Sequence, residues 1–217
     1  MLSEIEIIRS GNTNCYAIKS DSTGDVVLID AGTSEDVGFI EKLESKGIFQ
    51  DVRMLVLTHG HYDHVGHAAE IGNKLGIPVA IHKADAEKVM AGSMDFPPAE
   101  GLLGKAIRRS TLRGSERARY QPFTPDIVIE EEGPLDGFSE MAVIHLPGLR
   151  QAPSGSCSME TSSQGDLVMN MPSPSRSMFA EDFGELDRSI RKVQDMGIGT
   201  VYPGHGRPFS GDRLRKL

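Results

Sequence analysis

The segment VLTHGHYDHVGH, residues 56–67, constrains this chain most strongly, because it holds four of the seven histidines and an aspartate within twelve residues. A strand-like run, VRMLVLT, leads directly into it. Alternate side chains of an extended segment point the same way, so His59 and His61 are expected to face one ion. Asp63 and His64 follow where the chain is expected to turn into a helix, and they can face a second ion. The spacing therefore predicts a site for one or two metal ions.

The hydrophobic pattern of the whole chain predicts an α/β protein with a single domain, residues 1–217. Strands are predicted for SEIEIIRS, CYAIKS, DVVLIDAG, VRMLVLT, IPVAIH, DIVIEEE, MAVIHLPG, SCSMETS, GDLVMNM and TVYPG. Helices are predicted for residues 34–47, with Ser34 as N-cap and Gly47 at the end, and for VGHAAEIGNKLG, KADAEKVMAG and AEDFGELDRSIRKVQDMG. SCSMETS and GDLVMNM are predicted to pair as a hairpin whose turn contains residues 163–166.

Residues 93–124 are predicted to interrupt this alternation as an irregular insert, which opens with the proline-containing segment SMDFPPAEG. Within it, residues 105–120 concentrate positive charge against a single acid, Glu116; the basic residues are Lys105, Arg108, Arg109, Arg113, Arg117 and Arg119. Two interpretations remain open. The insert could be a lid that attracts an anionic small-molecule substrate, or its basic residues could form a solvated helix face or a subunit contact.

Charge and cysteine content limit the partners and the compartment. The formal net charge of −8 argues against a nucleic-acid or membrane-surface partner. No stretch approaches the roughly 18 apolar residues of a membrane span, and the N-terminus lacks the pattern of a signal peptide. The two cysteines, Cys15 and Cys157, do not form a disulfide framework, so we expect the reducing cytoplasm. The oligomeric state cannot be read from the sequence.

The segment THGHYDHVGH resembles the HxHxDH signature of the metallo-β-lactamase superfamily, and GNTNCYAIKS, VVLIDAG, VIHLPG and YPGHGRPF resemble further family segments in the same order. The resemblance implies a four-layer αββα sandwich with the metal site at one edge. It implies His205 as another metal ligand and Asp30 as an auxiliary structural aspartate. It also implies that a metal-bound hydroxide attacks an ester, thioester, lactone or amide bond, with Asp63 as the catalytic residue that orients it and passes on a proton.

Two positions depart from the family pattern. Where the family usually has HTPGHTPGS, this chain has HLPGLRQAPSGS, so Leu149 occupies the place of a ligand histidine. The position of the metal-bridging aspartate is predicted to fall on Asn170–Met171, and a thioether is a poor substitute for a carboxylate. Asp166 is interpreted as a turn residue distant from the metal. His145, alternatively a packing residue, is a candidate auxiliary ligand, and Cys157 is another.

These features together predict a metal-dependent hydrolase with an altered or mononuclear site. Zinc is the expected metal, as one ion or two, and iron or manganese is the alternative, because two histidines and a carboxylate also suit Fe(II). The alternative function is that of a degenerate superfamily member that binds a ligand or partner without turnover. His67 does not fit the ligand spacing and is interpreted as a residue of the helix surface or behind the ligands.

Overall fold

The computed structural model describes residues 4–93, 96–113, 119–147, 154–158, 161–163 and 166–217. The strands in chain order are β1 (Glu4–Ser10), β2 (Thr13–Lys19), β3 (Val26–Ile29), β4 (Val52–Val56), β5 (Val79–His82), β6 (Ile127–Ile129), β7 (Gly133–Leu135), β8 (Phe138–His145), β9 (Ser154–Ser158), β10 (Thr161–Ser163), β11 (Val168–Asn170), β12 (Pro174–Arg176), β13 (Thr200–Tyr202), β14 (His205–Gly206) and β15 (Phe209–Ser210). The helices are α1 (Phe39–Ser45), α2 (Tyr62–Val65), α3 (Ala68–Leu75), α4 (Lys83–Ala91), α5 (Gly101–Arg113), α6 (Phe183–Asp195) and α7 (Gly211–Leu214), with a 3₁₀ turn at Phe49–Asp51.

The strands form two sheets. The first has the order β12-β11-β14-β2-β3-β4-β5-β6, and β1 pairs with β2. The second has the order β15-β13-β10-β9-β8-β7. Strands β3, β4, β5 and β6 are parallel neighbours. The carboxyl ends of parallel strands meet at one edge of a sheet, and in α/β proteins that edge commonly carries the functional groups.

The four-layer αββα prediction is confirmed by the way the sheets and helices bury their side chains. In β3, Val27 and Ile29 pack against the second sheet, whereas Val26 and Leu28 pack against the helices. Strand β3 is thus buried on both faces, which explains its uninterrupted apolar sequence. Helices α1, α3 and α4 cover the outer face of the first sheet, and α6 covers the second.

The first helix is shorter than predicted. It begins after Gly38, and Ser34 does not cap it. Tight turns precede it instead, in which the amide of Asp36 bonds to the carbonyl of Thr33 and the amide of Phe39 to that of Asp36. The Ser34 hydroxyl donates to the carbonyl of Arg119 at 2.5 Å. The prediction that Gly47 follows the end of this helix agrees with its φ of +69°.

The segment predicted as one helix, VGHAAEIGNKLG, is interrupted at Gly66. Here the backbone of the segment after β3 approaches closely: the amide of Gly66 bonds to the carbonyl of Gly32 at 2.7 Å, and the amide of Ala31 bonds to the carbonyl of His64 at 2.6 Å. A Cβ at Gly66 would lie 2.2 Å from the amide nitrogen of Ser34. This contact ties the histidine-rich turn to the end of β3.

The predicted hairpin of SCSMETS and GDLVMNM is wrong. Strand β9 pairs instead with β10 in antiparallel register, with Thr161 opposite Ser158. Strand β11 then joins the other sheet, parallel to β14 and antiparallel to β12. Asp166 therefore lies in the connection that passes from the second sheet to the first.

The predicted insert contains one long helix, α5, within residues 93–124. Residues 148–153, which include Leu149, lie outside the described residues, so the loss of that histidine stays a prediction. No helix that the described residues form has both the length and the apolar composition needed to cross a membrane.

Replacing Gly66 with alanine tests the close contact between the histidine-rich turn and the β3 edge. The added methyl group would overlap backbone atoms, which cannot yield as a side chain can, and overpacking of this kind costs about 1–3 kcal/mol or more. We expect Gly66→Ala to lower the free energy of unfolding by at least this amount in urea denaturation. Gly38→Ala is the matched control, because a Cβ added there would meet nothing within 4 Å. Equal stability of the two variants would contradict the packing described.

Candidate metal centre

The histidine-rich turn lies at the carboxyl edge of the first sheet. Strand β4 ends at Val56, and the chain continues through His59 to His61, the residue that precedes α2. His59 and His64 are fully buried, and His61 is 6% exposed. The rings of His59 and His61 lie 4.3 Å apart, and those of His59 and His64 lie 4.2 Å apart, between centroids. The turn therefore gathers three imidazoles at one point, whereas the spacing predicts that His59 and His61 face one ion and that His64 can face a second.

Asp30, the predicted auxiliary aspartate, anchors this turn from the end of the neighbouring strand β3. Its carboxylate accepts hydrogen bonds from the Thr58 amide at 2.8 Å and from the Thr58 hydroxyl at 2.9 and 3.0 Å. It also accepts one from His64 Nδ1 at 2.8 Å. Its φ of +63° is a left-handed conformation that aspartate tolerates better than most residues. One buried carboxylate thus fixes both the start of the turn and a histidine within it.

Three histidines present the same ring nitrogen to the interior of the site. The Nδ1 of His64 donates to Asp30, and the Nδ1 of His205 donates to the carbonyl of Asn12 at 2.9 Å. The Nδ1 of His59 lies 3.0 Å from the Thr58 hydroxyl, whose proton is directed to Asp30, so the ring is the donor. Each Nε2 is left for the site, an arrangement typical of metal-ligating histidines.

His205 is brought to the turn by the first sheet and held there by strand β2. Asn14 donates its side-chain amide to the carbonyls of Pro203 at 3.0 Å and Gly206 at 2.6 Å. The Tyr16 hydroxyl donates to the same Pro203 carbonyl at 2.5 Å. These bonds link residues about 190 positions apart in the sequence. The sequence interpretation found His205 but missed the two side chains that hold its loop.

Asp166, interpreted from the sequence as a distant turn residue, lies at the centre of the cluster. Its Oδ1 is 3.1 Å from His205 Nε2 and 3.4 Å from His64 Nε2. Its Oδ2 is 3.8 Å from His59 Nε2 and 3.9 Å from His61 Nδ1. The predicted placement is therefore wrong, because the crossing between the sheets carries Asp166 into the cluster of imidazoles. A carboxylate thus lies in the cluster, four to five positions before Asn170–Met171, where the sequence predicted that the family's carboxylate was lost.

Asp63 completes the cluster at the surface of the pocket. Its Oδ2 accepts a hydrogen bond from the Thr13 hydroxyl at 2.8 Å. The same oxygen lies 3.5 Å from His205 Nε2 and 3.9 Å from His64 Nε2. Asp63 is only partly buried, whereas Asp166 is 7% exposed. The two carboxylates therefore differ in access: Asp166 lies among the imidazoles, and Asp63 borders the space that a substrate would enter.

The donor atoms form two groups that suit metal ions. In one, atoms of His59, His64 and Asp166 all lie within 4.8 Å of one another, and in the other the same holds for Asp63, His64 and His205. Among the described residues, His64 Nε2 and Asp166 Oδ1 are buried without a hydrogen-bond partner. Buried polar atoms rarely stay unpaired, and a place for an ion is one accepted reason. The residues present therefore fit one or two divalent metals that prefer nitrogen and oxygen ligands.

The carboxylates of the cluster favour the protonated form of two histidines that could ligate a metal ion. Burial opposes the protonated form of His205, but the negative charges of Asp166 and Asp63 outweigh it and raise its pKa to about 9. Burial acts likewise on His64, where Asp30 and Asp166 prevail and raise the pKa well above its usual value. Burial would raise the pKa of Asp166, but the imidazoles of His205 and His64 lower it well below its usual value. Metal uptake near neutral pH would therefore displace protons.

The remaining candidates lie elsewhere or outside the described residues. His145, the proposed auxiliary ligand, stacks on His82 with 4.9 Å between ring centroids and belongs to neither donor group. His67 packs against Phe39 and donates to the carbonyl of Thr33 at 2.9 Å, which agrees with a place behind the ligands. The side chain of Cys157 is outside the described residues. Met171 is half-exposed and lines the pocket.

The site opens into a pocket of about 480 Å³. Its polar floor contains His61, Asp63, Asp166 and His205. Residues from β1, β2, the insert and the loop after β12 supply the walls. A volume in this range is typical of small-molecule sites.

The assignment of Asp166 rather than Met171 to the metal site makes a direct prediction. Asp166→Asn keeps the shape of the side chain but removes its charge, and we expect zinc affinity to fall at least about 10–100-fold. Met171→Ala is the matched control and should leave the affinity unchanged. The measurement is competition with a chromogenic chelator at fixed pH. A loss of affinity in Met171→Ala, or none in Asp166→Asn, would overturn the assignment.

Comparisons with known proteins agree with this geometry. The family model for the metallo-beta-lactamase superfamily matches residues 8–205. A relative from Bacillus subtilis (strain 168), named "Probable metallo-hydrolase YflN", is 27% identical over an alignment that covers 87% of this chain and 78% of the relative.

Two solved structures share the fold. The BLEG-1 B3 metallo-beta-lactamase superposes with a TM-score of 0.77 at 19% identity and covers 99% of this chain and 97% of its own. TTHA1623 in a di-iron-bound form gives a TM-score of 0.67 at 20% identity, and the superposition covers 99% of this chain and 98% of TTHA1623. Together with the family match over most of its length, the convergence of the histidine-rich turn with Asp166 and His205 establishes that this chain belongs to the metallo-β-lactamase superfamily.

Proposed function

We propose that this protein is a zinc-dependent hydrolase that cleaves an ester, thioester, lactone or amide bond in a small molecule. The observation that carries the proposal is the set of Nε2 atoms of His59, His64 and His205 directed at the Asp166 carboxylate beneath an open pocket. Family membership supports metal-dependent hydrolysis as the reaction class.

The metal would be held by the two donor groups already described, which share His64. We assign Asp166 to the position between them, because its two oxygens face opposite sets of imidazoles. His61 joins the first group, since its Nδ1 lies 2.7 Å from His59 Nε2. A bound zinc ion supplies a water molecule that ionises near neutral pH and a Lewis acid for the scissile carbonyl.

Asp63 is the residue we assign to proton transfer. Its carboxylate borders the pocket, and the Thr13 hydroxyl and the neighbouring imidazoles fix its orientation. It can accept a proton from the attacking water and deliver it to the departing alkoxide, thiolate or amine. The balance is simple: water's oxygen bonds to the carbonyl carbon, the bond to the leaving group breaks, and both protons of water reach the products.

Protein side chains set the remaining conditions for this reaction. Asp30 and the carbonyl of Asn12 hold two imidazoles in fixed orientations, so little reorganisation is needed when the substrate binds. The ring of Phe96 stacks on His61 and lies near Tyr62, so an apolar surface adjoins the floor of the pocket. Iron or manganese would suit the same donors, and the di-iron form of TTHA1623 is a reason to measure metal content rather than assume it.

Hydrolysis of a panel containing a 4-nitrophenyl ester, a thioester and a lactone tests the proposal. We expect the zinc-loaded protein to cleave at least one of them and the chelated protein to cleave none. Asp63→Asn should lower kcat about 10²–10⁴-fold, the usual contribution of a general acid–base residue. His205→Ala should reduce both metal content and activity.

Asp212→Asn is the matched control for the aspartate substitution, because that side chain is 81% exposed on the surface. It should leave kcat unchanged. Turnover that survives complete removal of metal would contradict the proposal. Full metal loading with no hydrolysis of any substrate class would favour the alternative, a superfamily member that binds a ligand without turnover.

A further inference from the structure

We propose that the pocket selects substrates in which the group beside the scissile bond is an uncharged, apolar chain. This inference rests on the proposed function, since it names the substrate class of the same site. It follows from the apolar side chains that line the pocket, from the groove that Lys105, Arg108 and Arg109 line instead, and from the acids at the floor and rim.

One side of the pocket wall is apolar close to the donor cluster, opposite the polar residues of β1 and β2. The apolar side chains that line it are Phe96, Ile107, Met169, Met171, Met178 and Phe179. The ring of Phe96 stacks on His61 with 6.0 Å between centroids, and it meets Phe179 edge-to-face at 6.5 Å. An apolar surface therefore begins directly at a candidate metal ligand. A methylene group that a substrate buries against such a surface favours binding through the hydrophobic effect.

Within the described residues, no lysine or arginine lines this pocket. The charged groups present are the acids Asp63 and Asp166 at the floor and the exposed Glu35 at the rim, together with the histidines. An anionic group on the far part of a substrate would approach the carboxylate of Glu35, and among the described lining residues there is no lysine or arginine to pair with it. Like charges close together disfavour binding.

Three basic residues of the insert, Lys105, Arg108 and Arg109, line a groove other than this pocket. Arg108 donates to the carbonyl of Pro97 at 2.8 Å and to that of Phe96 at 3.2 Å. With Lys105 and Arg109 it lines a separate groove on the other side of α5. Among the residues of this helix whose side chains the structure describes, Ile107 is the one that lines the pocket over the donor cluster. Arg108 thus fixes the backbone that carries Phe96, and so it shapes the apolar wall rather than binding a substrate anion.

A binding measurement that requires no turnover tests this inference. The zinc-loaded protein is labelled with ¹³C at the methionine methyl groups and titrated with 2-octanone, a neutral ketone. A parallel titration uses 7-oxooctanoate, which has the same chain length but ends in a carboxylate. We expect 2-octanone to shift the methyl signals of Met169, Met171 and Met178 and to bind at least about tenfold more tightly than its anionic counterpart.

Two substitutions locate the effect. Ile107→Asp puts a charge on the wall and should weaken 2-octanone binding about tenfold. Leu102→Asp is the matched control on the same helix, since Leu102 is 90% exposed and does not line the pocket, and it should leave binding unchanged. Glu35→Lys would place a cation near the carboxylate of 7-oxooctanoate. It should lower the ratio of the 2-octanone affinity to the 7-oxooctanoate affinity by about two- to fivefold.

Equal binding of the two ligands, or shifts confined to methionines outside the pocket, would overturn the inference. So would an unchanged affinity in Ile107→Asp. These results are separate from the test of hydrolysis: a protein that binds 2-octanone selectively but cleaves no substrate would refute the enzymatic proposal and leave the selectivity of the pocket standing. A protein that hydrolyses only esters with charged acyl chains would support the enzymatic proposal and refute the selectivity of the pocket.

Discussion

The buried carboxylate of Asp30 is the constraint on which the site depends. It accepts hydrogen bonds from the backbone amide and the hydroxyl of Thr58 and from the Nδ1 of His64 at the same time. Without it, the turn after β4 would lose its anchor and His64 would be free to rotate its Nε2 away from the other donors. A buried donor left without a partner costs about 1–3 kcal/mol. Loss of the Asp30 carboxylate would leave the donors of both Thr58 and His64 unpaired, so it would destabilise the turn and the ring orientation together. The fold supplies this carboxylate by placing β3 and β4 in parallel, with their ends side by side.

A second set of contacts brings in the distant donors. Strand β2 contributes Asn14 and Tyr16 to the loop of His205 and Thr13 to the carboxylate of Asp63. The crossing from β10 to β11 contributes Asp166. Donor atoms from three separated segments thus meet, and protein hydrogen bonds fix their orientation. The site is therefore preorganised for a metal ion. At the same sheet edge the insert adds apolar residues beside the polar floor of the pocket, and on these the proposed substrate preference rests.

The sequence predicted the features that are local. The histidine spacing pointed to His59, His61, Asp63 and His64, because that pattern depends only on a few neighbouring residues, whereas Asp30 and His205 came from the family resemblance of their segments. Asp166 was misplaced because its position depends on which sheet its strand joins, and SCSMETS and GDLVMNM read equally well as neighbours in one hairpin. Ser34 was misjudged as a cap because the turns that precede α1 are set by contacts with the backbone around Gly66. The replacement of a ligand histidine by Leu149 remains a prediction.

The most direct test of the account is a crystal structure of the zinc-loaded protein with anomalous diffraction recorded at the zinc edge. The account predicts anomalous density within about 2.2 Å of His64 Nε2 and of an Asp166 carboxylate oxygen, the usual zinc-to-ligand distance. Zinc density remote from Asp166, or an Asp166 carboxylate turned away from zinc bound by the histidines, would contradict it.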